Sequence, residues 1–168
     1  MRHGAAILCG VLFLQSLLGA SGSQTYPRIQ IIGGTVPMLL LAALEGAARR
    51  LQDAECQRLF TDFRDASGAP LLDRLQATHK TAAEYLSLLW FVDGGDELCK
   101  NSDILTAFTT PGTGVIHICG ARFADRAFTF EAREIVIIHE MLHSLGLGEN
   151  PPTSAAITQQ VRKRCGRN

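Results

Sequence analysis

The chain has 168 residues, 46% apolar and 19% charged, which suits one ordinary globular domain and leaves too little for two. Sixteen basic side chains balance sixteen acidic ones. No net field therefore draws the protein to nucleic acid or to an anionic membrane.

The first stretch differs from the rest. Arg2 and His3 precede an uncharged, leucine-rich run from Ala5 to Ala20, and small residues continue to Ser23. A short positive region, an apolar region and a small-residue zone make a secretory signal peptide, expected over residues 1–22 with cleavage between Ala20 and Gln24. The apolar run is short of the ~20 residues that span a bilayer, and no later segment is long enough. The expected location is secreted or periplasmic, with no membrane contact after cleavage. Residues 23–168 read as a single domain.

Beyond the leader stand Cys56, Cys99, Cys119 and Cys165. Four cysteines in an exported chain imply two disulfides, with three possible connectivities. None has a CxxC or similar metal-ligand spacing. The preferred pairing is Cys56–Cys99 with Cys119–Cys165, and free thiols are the alternative.

Residues 26–32 read as a short strand ending at Gly33-Gly34. From Val36 to Phe63 the apolar residues Leu40, Leu44, Ala47, Ala48, Leu51, Leu59 and Phe63 recur at helical spacing, as one long helix or two. Pro37 suits the first turn. Ser67-Gly68-Ala69-Pro70 is a turn. A short helix is expected over 71–77 and another over 81–90, followed by a loop at Asp93-Gly94-Gly95-Asp96. Residues 107–110 and 115–119 flank Pro111-Gly112-Thr113-Gly114, the pattern of a hairpin. A helix should begin near Thr129, whose hydroxyl can cap it. Glu131 and Glu134 then sit in its first turns, where the dipole favours negative charge. Ile135, Ile138, Leu142 and Leu145 form its core-facing stripe. A last helix is capped by Thr153 or Ser154 and runs to about Arg164. The Arg162-Lys163-Arg164 cluster, with Arg167, reads as its solvated face.

The chemistry concentrates in His139-Glu140-Met141-Leu142-His143. Two histidines at i and i+4 are neighbours on a helix, and each can offer a ring nitrogen to one metal at about 2.0–2.1 Å. Glu140 follows the first of them. From there its carboxylate can take a proton from an attacking water and return it to a leaving amine. A catalytic site needs a third protein ligand and one open position. After His143 the chain holds no His or Asp and one Glu, Glu149. Gly146 and Gly148 interrupt the helix before it, and a glycine in the left-handed conformation would let the chain reverse. Glu149 is thus the expected third ligand. His117, on the preceding strand, is the upstream alternative.

The run His139-Glu140-x-x-His143-x-x-Gly146-x-x-Glu149 resembles the zincin metallopeptidases, and within them the metzincin branch with its HExxHxxGxxH or D pattern. The likeness covers about 12 of the 168 residues. It implies zinc held by His139, His143 and Glu149, with Glu140 as general base and Gly146 as the turn. Two departures stand out. Glu occupies the third-ligand position, and no methionine follows Met141, so the methionine-containing turn of metzincins is absent.

The expected fold is α+β and zincin-like, with helices on a small mixed sheet and an HExxH active-site helix. The resemblance also implies an edge strand bordering a substrate cleft, for which residues 115–119 are the candidate. The expected function is a monomeric secreted metallopeptidase that binds Zn2+, takes a peptide or protein substrate, and does not bind nucleic acid. The alternatives are a binding or structural module with a closed zinc site, and a helix that holds no metal.

Overall fold

The computed structural model describes residues 27–31 and 33–166. The signal-peptide reading, residues 1–22, lies outside the described residues. In chain order the elements are β1 (Arg28–Gln30), α1 (Val36–Arg50), α2 (Ala54–Gln57), α3 (Leu59–Asp62), α4 (Leu71–Ala77) and α5 (Ala82–Leu86). There follow β2 (Trp90–Asp93), α6 (Asp96–Lys100), β3 (Ala107–Thr109), β4 (Val115–Ile118), α7 (Gly120–Phe123), α8 (Phe130–Ser144) and α9 (Ser154–Cys165). The architecture is α+β, with helices packed around a four-stranded mixed sheet.

The sheet order is β1-β2-β4-β3. Strands β1, β2 and β4 run parallel, and β3 is antiparallel to β4. The hairpin expected across residues 111–114 is present, with Phe108 opposite His117. The position of its second strand is a correction. β4 lies inside the sheet between β2 and β3, so β3 is the edge strand on that side. β2 is a second correction, since the helix expected over 81–90 stops at Leu86. A Thr81–Glu84 capping box starts α5. Trp90-Phe91-Val92 then pairs on both sides with parallel strands. Such strands read as continuous apolar runs rather than alternating ones.

The long helical stretch from Val36 divides into α1, α2 and α3. The break comes where Asp53 takes the backbone N–H of Glu55 at 2.7 Å and caps a new helix. α1 buries Leu40, Ala43, Leu44 and Ala47 against α8. At Gly46 the two helices meet so closely that a Cβ would lie 1.9 Å from Glu134 Oε1. α8 opens at Thr129, whose hydroxyl accepts from Ala132 N–H at 3.1 Å. Its core-facing stripe proves too narrow a description. From Ile137 to Ser144 every residue of α8 is buried, because α1, α9 and the β3–β4 hairpin pack on different sides of it.

The disulfides are Cys56–Cys165 and Cys99–Cys119, which corrects the expected pairing. α2 packs on α9 and brings Cys56 to Cys165, with Cα atoms 4.5 Å apart. α6, which begins at the end of the loop expected at residues 93–96, sets Cys99 beside the end of β4. The absence of a Cβ on Gly94 makes room there, since one would lie 2.5 Å from Cys99 Sγ. With its partners separated by 109 positions in sequence, the first bridge contributes ~4.7 kcal/mol on a loop-entropy account. Among the described residues no helix is long and apolar enough to cross a membrane.

Candidate metal centre

His139 and His143 lie one turn apart on α8, both about 95% buried. Their Nε2 atoms are 3.0 Å apart. α8 then ends at Gly146, whose φ of +104° is open to glycine and strained for any other residue. Gly146 N–H donates to His143 O at 2.8 Å, and Leu147 N–H reaches back to Leu142 O at 3.1 Å. These bonds close the helix with a left-handed reversal. The reversal has two consequences for the site. It sets the Leu147 carbonyl to accept from His143 Nδ1 at 2.7 Å. It also returns Glu149 to the histidines, with Oε1 3.3 Å from His143 Nε2 and 3.8 Å from His139 Nε2.

One ligand atom from each of His139, His143 and Glu149 lies within 4.8 Å of the others. Two donors bound tetrahedrally at about 2.05 Å would be about 3.3 Å apart. The observed separations of 3.0, 3.3 and 3.8 Å bracket that value. Two imidazoles and a carboxylate are also the donor types that hold a divalent metal. The residues therefore fit such an ion. The alternative third ligand, His117, is not in the cluster. It sits on β4 with its ring stacked on Phe108, centroids 4.6 Å apart.

Glu140 lies between this cluster and β3, close to Thr109 and within the influence of the Glu149 charge. It is 5% exposed, and among the described residues its Oε2 has no hydrogen-bond partner, nor has Thr109 Oγ1 on β3. A buried carboxylate oxygen of this kind calls for a ligand or water not supplied by the fold. Burial pushes the Glu140 carboxyl up to about 7. The Thr109 hydroxyl works against that rise without closing a full hydrogen bond, and the Glu149 charge adds to it. Burial, then the neighbouring His143, pushes His139 down to about 3, so its imidazole is neutral, the form that binds metal.

Sequence reasoning missed one contact. Thr158 on α9 places its Oγ1 2.9 Å from His139 Nδ1. Ile157, Val161 and Cys165 mark the buried face of α9, and Thr158 borders it. No local pattern names the helix it would meet. Thr153 is the residue that caps α9, accepting from Ala156 N–H at 3.2 Å. Arg164, expected in solvent, instead pairs with Asp62 at 2.7 Å and Glu55 at 2.9 Å.

No known protein family, curated protein or solved structure matches this chain.

Proposed function

We propose that the protein is a secreted zinc-dependent metallopeptidase of zincin-like organisation, with Glu140 as its general base. The observation that carries the reading is the convergence of His139, His143 and Glu149 beside a buried, unpartnered Glu140 oxygen. Among the described residues no fourth His, Cys, Asp or Glu joins the cluster. Three protein donors with one open position are the mark of a catalytic zinc site, whereas structural sites are closed by four.

Zinc bound there supplies a Lewis acid for the scissile carbonyl and makes water a nucleophile near neutral pH. The chain's own residues do the rest. The Leu147 carbonyl orients the His143 imidazole. The Glu140 carboxylate accepts a proton from the attacking water and passes it to the departing amine. Among the described residues β3 pairs with β4 alone, so its outer side is a free edge. Thr109, its last residue, stands next to Glu140. A peptide adding to that edge as a further strand would run past the carboxylate. The two disulfides support passage through an oxidising compartment.

The test is metal analysis of the purified protein, followed by casein hydrolysis with and without a chelator. E140Q should keep the parent's zinc content and lose activity by ~10²–10⁴-fold, the usual weight of general base catalysis. A parent without stoichiometric zinc, or an E140Q variant that cleaves casein at the parent rate, overturns the proposal.

A further inference from the structure

The two imidazoles are oriented by different kinds of partner. His143 Nδ1 meets a backbone carbonyl, Leu147 O, at 2.7 Å. A carbonyl only accepts, so this contact assigns the proton to Nδ1 and leaves the Nε2 lone pair facing the cluster. The partner comes from the turn that ends α8 itself. His139 Nδ1 meets a side chain from another helix, Thr158 Oγ1, at 2.9 Å. α9 contributes no metal donor, yet it is firmly held. Cys165 is bridged to Cys56. Gln160 and Arg164 both reach Asp62, at 2.6 and 2.7 Å. Thr158 therefore sits on a rigid element rather than on a loop.

We propose that Thr158 is a positioning residue of the metal centre: its hydroxyl accepts from His139 Nδ1–H and holds Nε2 as the metal-binding nitrogen. The inference rests on the metal-centre reading and deepens it. A metal-bound imidazole almost always donates its other N–H to an oxygen, which fixes tautomer and ring orientation. His139 is about 95% buried, so bulk solvent has little access to take over from a lost partner. The consequence is that the C-terminal helix sets the affinity of a site to which it supplies no ligand. Its attachment to α2 and α3 is what keeps Thr158 in place.

The experiment measures zinc affinity of the metal-free protein at fixed pH by competition with a chromophoric chelator. The parent, T158V, T158A and T158S are compared. Cobalt-loaded samples report coordination through their visible spectra. T158V and T158A should weaken zinc binding by ~10–100-fold and shift the cobalt bands, the usual effect of losing an outer partner. T158S, which keeps the hydroxyl, should bind within about threefold of the parent. T158A tests the same point should valine fail to pack, and melting of the metal-free forms separates affinity loss from unfolding. T158V or T158A binding as tightly as the parent overturns the role. So does T158S binding as weakly as T158A, which would mean that packing of the methyl, not the hydroxyl, matters. A parent that binds no zinc removes the metal centre itself, a result distinct from either.

Discussion

Replacing Gly146 by alanine tests whether one backbone conformation assembles the metal centre. Its φ of +104° lies where residues with a side chain cost about 1–3 kcal/mol. A Cβ there would come 3.3 Å from Asp65 Cβ, a tight approach to a buried side chain. Alanine also stiffens the unfolded chain, which offsets about 0.4–1 kcal/mol. The net loss is therefore about 1–2 kcal/mol. For a domain of this size it corresponds to a melting temperature lower by about 2–8 °C. If the turn relaxes to relieve the strain, it carries Leu147 and Glu149 with it, and both serve the site. Zinc affinity should then fall at least ~10-fold. Thermal melts in the presence of a chelator give the first quantity, and chelator competition gives the second. A G146A protein that melts at the parent temperature and binds zinc as tightly would refute the assignment of the turn to Gly146.

Two further outcomes follow from the packing. In G46A, alanine gains about 1 kcal/mol of helix propensity, but its Cβ would displace Glu134, which Arg50 Nε holds at 2.5 Å in a largely buried pair. Overpacking of about 1–3 kcal/mol wins, so the urea midpoint should drop; a raised midpoint would deny the close approach of α1 and α8. Asp65 accepts from Ser67 and Ala69 and pairs with Arg74 at 2.7 Å. The Ser67 hydroxyl, then Arg74, holds its carboxyl well below the ordinary carboxylate range. A depressed carboxyl stabilises the fold above its unfolded pKa of about 4, and the effect is lost as pH falls below that. D65N should melt below the parent at pH 7, with the gap narrowing toward pH 3; a gap independent of pH would show that the charge of Asp65 is not involved.

The local pieces are legible in the amino-acid order alone. The α+β class, the capped helix from Thr129, the hairpin around residues 111–114 and the short helix over 71–77 all follow from periodicity, caps and turn residues that act within a few positions. The candidate donors were legible for the same reason. His139 and His143 are joined by one helical turn, and Glu149 follows a glycine that permits reversal. Features that depend on distant segments meeting were set by packing instead. Parallel pairing on both sides made β2 a strand, and sheet order put β3 rather than β4 at the edge. Docking of α2 on α9 selected Cys56–Cys165, and His117 was taken out of the site by a ring on the neighbouring strand. Thr158 reaches His139 across 19 residues because α9 folds back along α8. Spacing along a chain encodes neighbours on one helix or one turn, whereas contacts between elements are chosen by how the whole core packs.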